Sequence, residues 1–499
     1  MSTRDVSFSH LLRDAVVHHA GVGRTAFLGE AGPTSYAELA ERIDAYASAA
    51  SGLPIGTPVG ILTLRSVEAV ALFFGLMQAG ACPCFMPLDL GADELHGRIL
   101  AAGLRRIVLD DHTDARAAGL HHEEADVWRL GTLAASRPTS TTGHAPAPSL
   151  NPASRAMLLF TSGSTSTPKA VPLTHANLLC HVDGVIAHTS ITPADRLLHV
   201  MPLHHTNGVH NQLIAPLVAG ASVVLATRFE PARIEAQIGE FGVTYMTGVP
   251  TMYSRVLPHL SNPAARRTLR FLRCGSAPIG LRLHRSIEAA FGVPLVVSYG
   301  LSEATCTSTM NPPSARRLGT VGTVLRGQAI RLCTPGTLDA VPTGDEGEVC
   351  IGGGCVMAGY VGEAAGGPVS DGWLRTGDLG RLDEHGYLTI TGRLTDIINR
   401  GGENLSPRLI EDAVNHHPAV EACCVVAGPH HDLGEVPVAF VVWRNGEAES
   451  VEALRHFIAA RLPRRYHPDI RILVALPATP IGKVDRHALR QLLAAGAPE

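Results

Sequence analysis

No two of the ten cysteines form a C-x-x-C pair. Cys82, Cys84, Cys180, Cys274, Cys306, Cys333, Cys350, Cys355, Cys423 and Cys424 are scattered, most of them in apolar surroundings. That excludes a zinc ribbon and a disulfide framework, and it suits buried thiols in a cytoplasmic protein. An excess of one charge is also missing: 41 Lys and Arg face 45 Asp and Glu, a net charge of −4. Nothing in that balance points to nucleic acid or to a charged tail. Long apolar runs are absent too. The most apolar stretch, 69-AVALFFGLMQAGACPCF-85, is interrupted by Gln78 and Pro83. It reads as a helix ending at Gly80 and then a strand, not as a membrane span. The start, MSTRDVSFSHLLRDAVVHHAG, lacks the apolar core of a signal peptide. Histidine is plentiful at 25 residues, yet no H-E-x-x-H occurs. The adjacent pairs His204–His205, His416–His417 and His430–His431, and the cluster 121-HHEE-124, have spacings unlike known ligand sets, so no histidine-built metal site is expected.

What is present is a long chain with alternating patterns. Its 499 residues, 45% hydrophobic, exceed one ordinary core and favour two or more domains. Helical and strand signals alternate: 64–80 (helix), 221–226 (strand), 232–241 (helix), 243–248 and 269–275 (strands), 281–292 (helix) and 294–300 (strand). Such alternation predicts an α/β fold with a mostly parallel sheet covered on both faces. The Ser-, Thr- and Pro-rich segment 136–154 reads as a linker. From about 320 to 392, short strands punctuated by glycines (346–353, 373–380, 387–392) predict an antiparallel, barrel-like subdomain. After Gly392 the texture changes again: a helix over 406–420 capped by Ser406, a strand over 436–444 and a helix over 450–463. We therefore expect a large domain at 1–392 and a small, mobile α+β lid domain at 393–499, about a hundred residues.

The stretch 161-TSGSTSTPKAVPLTH-175 carries the first chemical signal. It follows the apolar run 156-AMLLF-160 and offers hydroxyls, bare N–H groups and the charge of Lys169. Such a nest can wrap phosphate oxygens without a helix behind it. It is not a Walker loop, because Pro168 precedes Lys169. Alone, it leaves a Ser/Thr-rich surface turn as the lesser alternative.

The loop resembles the T-S-G-[ST]-T-G-x-P-K-G signature of the adenylate-forming superfamily of acyl-CoA synthetases, luciferases and peptide-synthetase adenylation domains. Further family motifs match in order: 275-GSAP-278, 299-YGLSE-303, 376-TGD-378, 392-GRLTDIINRGGENLSP-407 and 480-PIGKVDR-486. The resemblance runs from about Tyr36 to the C-terminus and is greatest to acyl-CoA ligases. It implies activation of a small carboxylic acid by ATP, with loss of pyrophosphate, and transfer of the acyl group to the thiol of CoA.

The same resemblance implies roles for residues. Thr161, Ser162, Gly163, Ser164, Thr165 and Lys169 would embrace the β- and γ-phosphates. Glu303 would hold Mg²⁺ and Ser302 would touch the α-phosphate. Tyr299 would lie against adenine, with Gly275, Ser276 and Ala277 along its edges. Asp378, helped by Arg393, would hold the ribose hydroxyls. Lys483, on the small domain, would reach the α-phosphate and the attacking carboxylate after a swing about 393–396. Gly401 and Gly402 would let a pantetheine arm pass close to the backbone. His205 would gate the carboxylate's way in, or else be a buried structural histidine. Asn207, Gly208, Val249, Gly275, Gly300 and Thr305 complete the expected acid pocket.

Three positions depart from the pattern: Ser166 and Ala170 replace glycines, and Thr395 replaces a charged hinge residue. Those changes leave open a non-catalytic relative that only binds nucleotide or acyl groups. Retention of Lys169, Glu303, Asp378, Arg393 and Lys483 weighs against it. Transfer to a carrier protein or an amine also stays open. The run 303–322 is similar to oxalate–CoA ligases, which carry a histidine three residues after the glutamate, where this chain has Cys306. That loss of a donor points to a monocarboxylic acid. Arg316 and Arg317 follow, as an alternative cation source or a solvated face.

Overall fold

The alternating pattern builds two parallel sheets in the computed structural model, which describes residues 6–114, 125–135, 149–161, 168–363, 367–444, 449–478 and 484–494. The larger has nine strands. From one edge they are Thr323–Val324, Thr309–Met310, Leu295–Tyr299, Phe271–Cys274, Tyr245–Gly248, Arg196–His199, Ser222–Leu225, Thr25–Leu28 and Thr34–Ser35. Leu295–Tyr299 through Thr25–Leu28 run parallel, and antiparallel strands close both edges. The second sheet is wholly parallel, in the order Cys82–Phe85, Pro58–Leu62, Arg106–Leu109 and Asp126–Arg129. The helix Val67–Gln78 is buried without a break from Ala69 to Met77. It is apolar all round because core packs on every side. No helix among the described residues is long and apolar enough to cross a membrane.

The glycine-punctuated region forms an antiparallel half-barrel. Its strands are Gln328–Cys333, Gly347–Gly353, Trp373–Leu382, Val369–Ser370 and Leu388–Arg393. The C-terminal part forms its own sheet from Ile398–Arg400, Glu403–Leu405, Val420–His430, Gly434–Trp443 and Asp469–Ile472. Here the sequence reading needs correction. The helix expected over 406–420 spans only Pro407–Asn415, and an unforeseen strand, Val420–His430, follows as the long partner of Gly434–Trp443. Ser406 is at the N-cap position, but its hydroxyl donates to the Thr391 carbonyl (2.9 Å) instead of capping. The linker expected over 136–154 falls largely, and the 121-HHEE-124 cluster wholly, outside the described residues.

Parallel strands deliver their carboxyl ends to one rim, where ligands bind in open α/β sheets. Gly248, Cys274 and Tyr299 end neighbouring strands there. The rim is braced by Gln212, in the π-helical segment Asn207–Ile214. Its Oε1 accepts from the Val200 and Met201 N–H groups (2.9 and 3.2 Å), and its Nε2 donates to the Thr247 carbonyl (2.9 Å). One fully buried amide thus ties the segment to two strand ends. Gln212→Leu keeps the volume and orphans three main-chain groups. We expect it to lower the unfolding free energy by about 3 kcal/mol, read from urea denaturation.

Candidate active site

At the rim, Tyr299 donates its phenol hydrogen to Asp378 Oδ2 at 2.8 Å. Arg393 Nε approaches the other oxygen, Asp378 Oδ1, at 3.3 Å. Asp378 and Arg393 face each other in adjoining half-barrel strands, so sheet register sets that pair. Burial first, and the Asp378 charge second, hold the Tyr299 phenol well above its ordinary range, so it is a neutral donor. Gly275 follows the neighbouring strand, and Ser276 takes a left-handed φ of 67° as the chain leaves it. Tyr299, Asp378 and Arg393 are therefore one bonded group, with Gly275, Ser276 and Ala277 at the end of the adjacent strand.

After Tyr299 the chain folds back. A Cβ on Gly300 would lie 2.1 Å from the Cys306 carbonyl oxygen, so only glycine fits. The single turn Ser302–Ala304 leads into Thr305 and Cys306, both at positive φ (54° and 87°). Strain of that kind in non-glycine residues clusters at functional sites. Glu303, 9% exposed, accepts from the Tyr360 hydroxyl at Oε1 (2.7 Å). Lys169 Nζ lies 4.6 Å from the centre of the Tyr360 ring and 3.4 Å from Glu363 Oε1.

Lys169 opens the second strand of the hairpin Arg155–Thr161 and Lys169–Thr174, directly opposite Thr161. The base of the expected phosphate loop and Glu303 therefore share one cluster through Tyr360. Ser162, Gly163, Ser164, Thr165 and Ser166 lie outside the described residues. Ala170 is an ordinary buried strand residue paired with Phe160, so the loss of a glycine there strains nothing. Tyr360 and Glu363 were not read from the sequence. Their only signal is a tyrosine in a glycine-rich turn, and the fold alone brings it to Lys169.

On the acid side, Asn207 Oδ1 accepts from Asn211 Nδ2 (3.0 Å), with Thr247 Oγ1 at 3.4 Å. Asn211 Nδ2 also lies 2.9 Å from the Cys306 sulfur. Thr305, fully buried, donates to the Cys355 carbonyl (2.6 Å). Val249 caps the helix Pro250–Val256. His205 is half-buried, and its Nδ1 accepts from the Asn207 N–H (3.2 Å). Arg316 and Arg317 are not free for an acid: Arg316 forks onto Glu288 (2.5 and 3.1 Å) and Arg317 meets Asp383 (2.5 Å).

The small domain holds the remaining residues. Gly401 and Gly402, at φ 59° and 91°, make the two-residue turn between Ile398–Arg400 and Glu403–Leu405. Turn chemistry alone requires glycine there. Lys483 lies outside the described residues. Among the described residues no group of three or more His, Cys, Asp or Glu is arranged to hold a metal.

Comparison with known proteins shows the family. Residues 14–361 match the AMP-binding enzyme family, and residues 409–483 match the AMP-binding enzyme C-terminal domain. The sulfoacetate–CoA ligase of Cupriavidus necator is 36% identical over 457 residues, covering 88% of each chain. The feruloyl-CoA synthase of an Amycolatopsis species is 31% identical over 469 residues, covering 92% of this chain and 93% of its own. The crystal structure of ATP-bound MatB from Rhodopseudomonas palustris superimposes with a TM-score of 0.91 at 29% identity, covering 98% of this chain and all of that one. The chain belongs to the AMP-binding enzymes, and the fold expected from that resemblance is the fold it has.

Proposed function

We propose that the protein is an AMP-forming acid–CoA ligase. Its acid's carboxylate oxygen attacks the α-phosphate of ATP and expels pyrophosphate. The CoA thiol then attacks the acyl-adenylate carbonyl, and AMP leaves as the thioester forms. The bonded group of Tyr299, Asp378 and Arg393, beside the cluster of Glu303, Tyr360 and Lys169, is the observation that carries this reading. A carboxylate fits a ribose diol as a double acceptor, and Lys169 supplies the positive charge that a polyphosphate needs. Ser302 and the loop Thr161–Thr165 would complete the phosphate contacts. Relatives named for CoA-dependent chemistry, aligned over about nine-tenths of this chain, favour CoA over a carrier protein or an amine.

Glu303 is the proposed Mg²⁺ ligand. The fit is chemical: a hard, mostly buried carboxylate that Tyr360 holds by Oε1. When bound, the ion would neutralise phosphate charge.

Lys483 is the proposed link between the phosphate and the acid, and it requires the small domain to swing. The proposed hinge is the turn Leu394–Asp396 between the half-barrel and the small sheet. Thr395 is exposed there, and backbone rotation requires no charge at that position. Asp396 is held on the small-domain side by Arg486 and Arg490 (3.6 and 3.2 Å). Gly401 and Gly402 would line the pantetheine's path, and His205 the acid's. The relatives are named for acids as different as sulfoacetate, a dianion, and ferulate, an aromatic monoacid. Family membership alone does not choose the acid.

Lys483→Ala should abolish ATP–pyrophosphate exchange and spare CoA thioester formation from supplied acyl-adenylate. Survival of both half-reactions would remove the lysine's role. Asp378→Ala should raise the KM for ATP by roughly 10- to 100-fold, the loss of charge-assisted hydrogen bonds. An unchanged KM in initial-rate kinetics would remove the ribose assignment.

A further inference from the structure

We propose that the acid activated here carries a second anionic group, and that the guanidinium of Arg273 receives it. This deepens the ligase reading and rests on it.

Arg273 lies in the strand Phe271–Cys274, two residues before Gly275, and is 5% exposed. A guanidinium stays charged in proteins. A buried charge is stable where an opposite charge or a full set of hydrogen bonds compensates it. Arg273 has neither. No carboxylate among the described residues pairs with it. Of the five N–H donors of a guanidinium, two are used: Nε toward Ser298 Oγ (3.2 Å) and Nη2 toward Thr307 Oγ1 (2.5 Å). Both acceptors are neutral hydroxyls. The ionisable groups facing it are neutral as well. Burial pulls His181 well below the usual histidine range, and burial pushes the Cys306 thiol up.

Other arginines show the usual solutions. Arg266 meets Glu235, Arg270 forks onto Asp195, and Arg486 meets Glu411. Arg65, without a carboxylate, donates to the Met201 and Thr227 carbonyls and to His199. Arg273 alone among these five lacks such partners.

Its surroundings repeat the pattern. Thr307, which Arg273 grips, is also 3.3 Å from Asn211 Nδ2. Asn211 Oδ1 has no hydrogen-bond partner, and neither do the two ring nitrogens of His181 or Nε2 of His210. These two rings lie 5.3 Å apart. Buried polar atoms of this kind normally meet a ligand or ordered water. An apolar acid tail would leave the cation and these atoms unpaired. A carboxylate or sulfonate would satisfy the cation bidentately.

The position fits the acid pocket. Asn211 joins Asn207 to Cys306, and the Cys306 carbonyl lies against Gly300. Thr307, which Arg273 grips, belongs to the same folded-back segment as Glu303, Thr305 and Cys306. The expectation of a monocarboxylic acid, drawn from Cys306, is thereby reversed. Cys306, three residues after the glutamate, supplies no cation, but the neighbouring strand does, through Arg273.

The test measures kcat/KM for ATP- and CoA-dependent pyrophosphate release with malonate and sulfoacetate against propionate and butyrate. The full chain is used, as wild type, Arg273→Met and Arg273→Lys. We expect wild type to prefer the dianions by about 100-fold or more, as sites built around a buried polar partner do. Arg273→Met should shrink that ratio about 100-fold, and Arg273→Lys should restore part of it. Malonate and sulfoacetate separate carboxylate from sulfonate, and a preference for either supports the inference. Wild-type use of propionate or butyrate as well as the dianions overturns it and leaves the ligase reading standing. An unchanged ratio in a folded Arg273→Met enzyme overturns it as well. Pyrophosphate from none of these acids, nor from longer and aromatic ones, overturns both.

Discussion

The architecture of the site depends on how closely the chain passes itself after Tyr299. Gly300 meets the Cys306 carbonyl at a distance that no side chain tolerates, and Thr305 and Cys306 are held at positive φ to make the turn. The fold holds the strain with many bonds. Cys306 N donates to the Leu301 carbonyl, Ser308 N to the Tyr299 carbonyl, and Met357 N to the Glu303 carbonyl. Thr305 is anchored to Cys355 by its hydroxyl. One turn therefore sets Tyr299 toward Asp378, Glu303 toward Tyr360 and Thr307 toward Arg273. The groups around Asp378, Tyr360 and Arg273 therefore cannot be adjusted independently.

Much of this was legible, for physical reasons. Strands and helices of the large sheet announce themselves by period and glycine punctuation, and the observed elements follow those readings closely. The motif residues Tyr299, Asp378 and Arg393 are drawn together although 79 residues separate the first two. What was not legible is what depends on partners distant in sequence. Val420–His430 reads as a mere apolar run until Gly434–Trp443 pairs with it. Tyr360 gains meaning only beside Lys169 and Glu303. Arg273 in 271-FLRC-274 looks like a strand residue, since sequence does not reveal that a counter-ion is missing. The expectation drawn from Cys306 has the same restricted view. It asked what one loop position had lost and not what the next strand had gained.

The two arginines of the site work in opposite dielectric conditions. Arg393 is 56% exposed, and its pair with Asp378 is screened, worth at most about 1 kcal/mol. Such a pair orients a carboxylate without locking the strand end that leads to the proposed hinge. Arg273 is sealed in, where an ion pair is strong but removal of one partner is costly. The exposed arginine fits the proposed hinge beside it, and the buried one the proposed selection among acids.

Among the described residues, side-chain hydrogen bonds join the two domains in the observed orientation. Arg282 donates to the Pro418 carbonyl (2.8 Å) and Ser406 to the Thr391 carbonyl (2.9 Å). Neither involves a pair of charges, and each exchanges readily with water, at a net worth of about 1 kcal/mol. Asp396, by contrast, is tied to Arg486 and Arg490, which belong to the small domain with it. A rotation about Leu394 and Thr395 would carry Asp396 with its partners and break little else. A small domain bound by ion pairs to itself, and by uncharged acceptors to its neighbour, fits the proposed swing about Leu394–Asp396.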